Sequence, residues 1–371
     1  MPETNIAEID KNLVVATTID VPDLELHDIR KPPFQIYGLY NPLAEPVFKR
    51  MPTEVAEKVN DGVLKLHTHT AGGRVRFATD SPYIVIKAVM PKITHFSHMP
   101  LTGSSGFDLY IDTDDGSESV YHRTFVPPHR MTDGYESKVE INAPGMHCYT
   151  VNFPLYNPVD ALYIGIAKGS GLSAGAPYRD YPPVVYYGNS VTQGGCASRP
   201  GNSFEAMVGR ALNLDHVNLG FSGSGLAEDT IVAYMAGMKM SAFVADYDHN
   251  ALTVEHLRNT HCKMYRAIRA AHPHLPILLL SRPDFYYHNK YIGGAEKSIE
   301  RRRVILDTYN YAIDQGDRSI YFIDGERLHT GTYADCCTVD GGHPNDLGFM
   351  MMAEQIGGVL RRILREGKLQ K

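Results

Sequence analysis

Two short stretches of this 371-residue chain hold side chains that could share one reaction. Ser190 stands in Gly188-Asn189-Ser190, just past the apolar run Val184-Val185-Tyr186-Tyr187. Asp340 and His343 stand three residues apart in Asp340-Gly341-Gly342-His343. A neutral serine hydroxyl is a weak nucleophile and needs an adjacent base. A histidine is such a base when a carboxylate fixes its tautomer and stabilises the imidazolium that forms. An Asp three residues before a His, in a Gly-containing turn, can place its carboxylate against the ring. Taken apart, the first stretch is a Gly-flanked turn with an incidental serine, and the second a helix-capping turn with a surface histidine. Taken together they supply a nucleophile, a base and an orienting acid, in the chain order Ser, Asp, His. Such triads are defined by role and geometry and not by order along the chain. The chemistry they point to is acyl transfer through a covalent acyl-enzyme.

Those side chains need elements to hold them. Val184–Tyr187 has the β-branched and aromatic content of a buried strand, and it breaks at Gly188. A serine just past the C-terminal end of a strand in an open α/β sheet sits where such folds place their ligands. From residue 184 onward the pattern alternates. Strands are expected at 184–187, 216–219, 242–246, 277–281 and 320–323. Helices are expected at 203–212, with Ser203 as cap, and at 229–238, 254–271, 297–314 and 347–364. Alternation of this kind implies a parallel sheet covered by helices on both faces.

The first half reads differently. Strand-like runs at 63–67, 74–79, 83–89, 106–111, 138–141 and 148–153, separated by turn signals, suggest a β-sandwich. The Gly-, Ser- and Pro-containing stretch 165–181 reads as a linker. The expected division is therefore an N-terminal β-sandwich domain at 1–170 and an α/β domain at 180–371. His67 and His69 would share one face of a strand. Without a third ligand nearby they read as two surface histidines and not as a metal site. Asp108 is expected to hold a turn or the domain interface by hydrogen bonds.

Composition limits the function classes. Hydrophobic residues make up 43% and charged residues 21%, as in ordinary globular proteins. A net charge of −6 and the lack of a Lys/Arg run argue against nucleic acid as partner. No apolar run is long enough to span a bilayer, so no membrane partner is expected. The five cysteines show neither zinc-site spacing nor a disulfide framework. Reduced thiols and the absence of a basic and apolar leader suggest a cytoplasmic setting, with a clipped secretory signal left open.

The motifs also carry a resemblance. Gly188-Asn189-Ser190, Ser222-Gly223 after Asn218-Leu219-Gly220-Phe221, Asn250 after Asp248-His249, and Asp340-x-x-His343 resemble the four blocks of the SGNH (GDSL-like) hydrolase superfamily. Gly106-Phe107-Asp108-Leu109-Tyr110 is similar to the Gly-x-Asp-Leu-Tyr signature of an N-terminal domain attached to one bacterial branch of these esterases. Asn189 stands where the family has Asp, and the third block lacks its usual Gly-x-Asn-Asp form. The resemblance covers roughly residue 30 to the C-terminus. It implies a flavodoxin-like parallel-sheet hydrolase domain behind a β-sandwich. It also implies a Ser190-His343-Asp340 triad and an oxyanion hole from the Ser190 and Gly223 backbone N–H groups and the Asn250 amide. No metal or organic cofactor is implied.

The implied substrate is a small acyl ester, acetyl foremost, most naturally on a carbohydrate. No Trp is present for sugar stacking, but there are 23 Tyr, and Tyr286, Tyr287 and Tyr291 follow a strand end on the correct edge of the sheet. Two readings compete. One is a lipase- or thioesterase-like hydrolase of broader range. The other is a saccharide-binding protein that keeps the fold without turnover. A homo-oligomer stays open.

Overall fold

The computed structural model describes residues 19–283 and 295–371. Its first half holds two antiparallel sheets. One has the order β1(Leu24–Asp28), β9(Ala161–Ala167), β4(Tyr83–Val89), β7(Gly134–Glu140). The other has the order β10(Leu172–Ser173), β3(Arg74–Thr79), β8(His147–Asn152), β5(Phe107–Asp112), β6(Ser119–Phe125), with β2(Gln35–Tyr37) also paired to β3. Alternate residues of both sheets point inward. Ile84, Ile86, Leu162 and Ile164 meet Val75, Phe77, Phe107, Leu109, Tyr149 and Val151 in one core. That is the packing of a sandwich.

Two expectations for this half need correction. Residues 63–67 are not a strand: Asp61–Leu66 is a helix. The Oδ1 of Asn60 accepts the Val63 N–H at 2.8 Å and caps it, and this local bond outweighs the strand-like composition. The expected linker at 165–181 instead begins inside β9 and includes β10. Its glycines serve the sheet: a Cβ on Gly165 would lie 2.6 Å from Leu24.

The second half is a parallel sheet in the order β12(His216–Gly220), β11(Val184–Gly188), β13(Ala242–Asp246), β14(Ile277–Leu280), β15(Ile320–Ile323). Strand β11 shows why both faces are covered. Val184 and Tyr186 join a core with Phe204, Val208, Phe349, Met352 and Ile356, from the helices Phe204–Leu212 and Asp346–Arg365. Val185 and Tyr187 face the opposite core with Ile231, Leu257, Met264 and Ile305, from Asp229–Ala236, Val254–Ala271 and Ala295–Asp314. After β11 the chain builds β12 on one side, then returns to build β13 on the other. The crevice beyond β11 is thus a topological switch point, where α/β sheets bind ligands.

The two halves are tightly joined. Met51, Ala56 and Val63, from the segment between β2 and β3, lie in the core under the parallel sheet. The buried Arg74 guanidinium pairs with Asp215. Asp108 is fully buried, and its role is the expected one. Its Oδ1 accepts Asn152 Nδ2 at 2.8 Å; its Oδ2 accepts the Gly201 N–H at 2.8 Å and Arg199 Nη1 at 3.2 Å. Asp108→Ala would leave these donors buried and unanswered, at a cost of about 3–5 kcal/mol. Urea unfolding of the whole chain measures it. A loss under about 1 kcal/mol would show that water or a neighbour replaces the carboxylate.

Candidate active site

Strand register decides what meets at the switch point. Gly188 lies level with Gly220 on one side and with Asp246 on the other. The turns that follow these three positions carry Ser190, Gly223 and Asn250. Gly188 is required by space: a Cβ there would lie 2.0 Å from Thr192 Oγ1 and 2.5 Å from the Asp246 carbonyl. Asn189 caps the four-residue helix Ser190–Gln193, its Oδ1 accepting the Val191 N–H at 2.6 Å. Its Nδ2 donates to the Asp246 carbonyl at 2.7 Å. An ionised aspartate could make the first bond but not the second, so the departure from the family pattern ties the turn to β13.

The fourth strip of the site arrives from residues 338–345. Thr338 and Pro344 form an isolated bridge, and the turn between them carries Asp340 and His343. His343 Nε2 lies 2.9 Å from Ser190 Oγ, and His343 Nδ1 lies 2.8 Å from Asp340 Oδ2. The other carboxylate oxygen accepts the backbone N–H of His343 at 2.8 Å and of Gly342 at 3.0 Å. Partial burial would push this carboxyl up. The His343 N–H, its imidazole and the Gly342 N–H outweigh that and pull it down to about 2. Asp340 is therefore ionised wherever the imidazole needs it. With Nδ1–H donated to Asp340, Nε2 is left to accept from the Ser190 hydroxyl. The arrangement can pass a proton from Oγ to Nε2 as Oγ attacks a carbonyl. Asp346, the other acid of this stretch, does not reach His343. It accepts from the Ser198 N–H at 2.8 Å and from Asn202 Nδ2 at 2.8 Å.

Gly223 has a φ of +68°, and a Cβ there would meet nothing within 4 Å, so its backbone faces open space. Among the described residues, no group accepts the N–H of Ser190 or of Gly223. Asn250 Nδ2 donates to the Phe221 carbonyl at 2.9 Å, which places the amide beside the Gly223 turn. One of its two N–H groups is used there, and the second is available. The segments carrying Ser190, Gly223 and Asn250 thus meet in one crevice.

Several contacts that hold this crevice were not foreseen. Tyr156, just after β8, donates its hydroxyl to the Ser190 carbonyl at 3.0 Å. Gln193 Nε2 donates to the Leu155 carbonyl at 3.1 Å, and its Oε1 accepts the Ser222 N–H at 3.0 Å. The same Nε2 lies 3.2 Å from His69 Nδ1. Burial, then the Arg50 charge, pulls His69 down to about 3, so it is neutral and Nδ1 accepts. His69 is half-buried, and His67 is buried, 3.0 Å from Thr53 Oγ1. Neither histidine is the surface residue expected. Arg50 donates to the Asn218 carbonyl at 3.2 Å and to the Gly220 carbonyl. Only the one-turn spacing of Gln193 from Ser190 offered a sequence signal. Tyr286, Tyr287 and Tyr291 lie outside the described residues.

A profile of the GDSL-like lipase/acylhydrolase family matches residues 182–361. A profile of the GxDLY domain, the N-terminus of SGNH hydrolase-type esterases, matches residues 24–172. The chain belongs to the SGNH (GDSL-like) hydrolases. It is a carboxylic ester hydrolase of that type. Among solved structures it is similar to a candidate GDSL-like lipase from Bacteroides ovatus, with 25% identity, a TM-score of 0.82, and 92% of this chain and 98% of that one covered. It is also similar in fold to the salicylyl-acyltransferase SsfX3 of a tetracycline biosynthetic pathway, with 18% identity, a TM-score of 0.72 and coverage of 92% and 98%. An acetyl xylan esterase from the rumen bacterium Butyrivibrio proteoclasticus shares the fold at 13% identity, a TM-score of 0.56 and coverage of 92% and 98%. Curated protein sequences give no significant match. Among the described residues, no helix is long and apolar enough to cross a membrane.

Beneath the hydrolase site lies one titratable group with a visible consequence. Glu205 is fully buried and accepts Asn218 Nδ2 at 2.6 Å. Burial pushes its carboxyl from 4.5 up to about 7. A raised folded-state value means the fold prefers the protonated acid. The stability it contributes is complete below about pH 4.5 and is lost as pH rises through about 7. Glu205→Gln keeps an acceptor for Asn218 and removes the proton. Its unfolding free energy should fall less steeply than the wild type's across that window. Equal slopes in pH-dependent chemical denaturation would show that Glu205 carries no such linkage.

Proposed function

We propose that this protein is a serine esterase that removes small acyl groups, acetyl foremost, from carbohydrate esters. The observation that carries the reading is the continuous chain Ser190 Oγ, His343 Nε2, His343 Nδ1, Asp340 Oδ2, with links of 2.9 and 2.8 Å, opening toward the free backbone of Gly223. Ser190 Oγ attacks the ester carbonyl while His343 accepts its proton. The oxyanion meets the Ser190 N–H, the Gly223 N–H and the Asn250 amide. His343 then returns the proton to the leaving alcohol, and the acyl group stays on Oγ. A water, deprotonated by His343, repeats the attack and frees the acid and Ser190. Each preorganised oxyanion donor is worth about 2.7–4 kcal/mol of barrier. The saccharide ester is supported by the likeness to the acetyl xylan esterase, which is a likeness of fold.

Ser190→Ala should lower kcat by at least about three orders of magnitude while the fold stays intact, since nucleophile knockouts in serine hydrolases cost about 10⁶. A series of p-nitrophenyl esters of increasing chain length reads both points. A variant keeping more than about a tenth of the wild-type rate would remove Ser190 from the chemistry. A rate maximum at long chains would replace the small-acyl reading with a lipase-like one.

Asn250→Ala tests the third donor separately. It should lower kcat by about 10²–10³. KM for p-nitrophenyl acetate should move little, because the bond is made mainly to the developing oxyanion. A rate change below about threefold would leave Asn250 with its structural bond to Phe221 alone.

A further inference from the structure

Two side chains beside the triad, His98 and Cys196, have no part in the hydrolysis as proposed. The His98 ring, from the loop before the helix Leu101–Ser104, lies 5.4 Å from the His343 ring, centroid to centroid. Cys196 completes a triangle. One ligand-capable atom each from His98, Cys196 and His343 lies within 4.8 Å of the others. Cys196 is a free cysteine, 3% exposed. Its backbone N–H donates to the Pro344 carbonyl at 3.1 Å, which fixes it to the turn that carries His343. We propose that His98, Cys196 and His343 form an inhibitory site for a thiophilic divalent cation, with zinc the best fit.

The donor set argues for zinc. Two imidazoles and one thiolate are borderline-soft ligands, suited to zinc and poor for magnesium or calcium. Tetrahedral zinc with Zn–N and Zn–S bonds of ordinary length holds such donors about 3.3–3.6 Å apart. The triangle must therefore close by on the order of an ångström, and His98 is exposed, so its side chain can make that movement. Asp340 already engages Nδ1 of His343. The nitrogen left for a cation is Nε2, and Asp340 then orients the ligand from behind, as carboxylates do for zinc-bound histidines. That nitrogen is the one facing Ser190 Oγ. A bound cation removes the base, so zinc binding and turnover exclude each other.

Zinc binding to Cys196 as the thiolate releases a proton to solvent. The inhibition rests on the esterase reading, whereas the binding does not.

The test uses full-length protein freed of metal by a chelator. Zn²⁺ affinity is read by competition with a chromophoric chelator, and Co²⁺ is used to look for a thiolate-to-cobalt charge-transfer band. The expected result is one tight zinc per chain and inhibition of p-nitrophenyl acetate turnover at matching concentrations. His98→Ala and Cys196→Ser should each weaken both by at least about tenfold, and Cys196→Ser should abolish the cobalt band. His98→Ala alters an exposed side chain, so it keeps the test sound should Cys196→Ser fold poorly. Cys336→Ser, which removes the exposed thiol, should change nothing. Absence of zinc binding, or binding that both cluster variants leave unchanged, would overturn the site. Normal zinc binding with no esterase activity in any variant would instead count against the proposed function.

Discussion

Ser190, Gly223 and Asn250 hang on the register of three adjacent parallel strands. Because Gly188, Gly220 and Asp246 lie level, the chain leaves the sheet three times at one height. The first two exits are turns with small side chains, Asn189-Ser190 and Ser222-Gly223-Ser224, and the third carries the Asn250 amide. An anionic intermediate needs such surroundings, since donors fixed before the reaction need no reorganisation during it. A one-residue slip in any of the strands would turn its exit residue to the opposite face of the sheet. The two apolar cores, one on each side of β11, prevent that slip by fixing which residues point up and which down.

The register alone does not hold the turns still. The four-residue helix Ser190–Gln193 is too short to be stable by itself. It is braced by the sandwich half, through Tyr156 on the Ser190 carbonyl and Leu155 on Gln193. The following loop is braced by Asp108 on Gly201 and Arg199. In this light the Gly-x-Asp-Leu-Tyr stretch is a clamp. Phe107 and Leu109 face the sandwich core, while Asp108 and Tyr110 point the other way, to Arg199. The alternation of a strand thus serves the core with one face and the neighbouring half with the other.

The site also divides its charges by depth. Asp340 is partly exposed, multiply hydrogen-bonded and ionised. Deeper, burial and then the Asp248 charge push Asp246 well up, and burial pushes Glu205 to about 7. Buried carboxyls that resist ionisation suit a framework of hydrogen bonds with Thr192, Asn218 and Arg50. Asp340 keeps its charge because it sits near water, on two backbone N–H groups.

The amino-acid sequence by itself determined the parallel-sheet half, the strands of the sandwich with strong alternation, and the candidate residues Ser190, Asp340 and His343. These were legible because their signals are local: a strand that breaks at glycine, an Asp three residues before a His, an alternation of period two. The helix at Asp61–Leu66 was misread as a strand because its three apolar residues, Val63, Leu64 and Leu66, give little periodicity and its cap is one asparagine. The second-half alternation gave order along the chain but not order across the sheet. That β11 lies between β12 and β13 is set by the packing of the whole domain. Tertiary structure alone decided the roles of Tyr156 and Arg50, the partners of Gln193 and Asp108, and the approach of His98 and Cys196 to His343. Their partners lie tens to hundreds of residues away, and no local pattern encodes a contact made only when two separately folded surfaces meet.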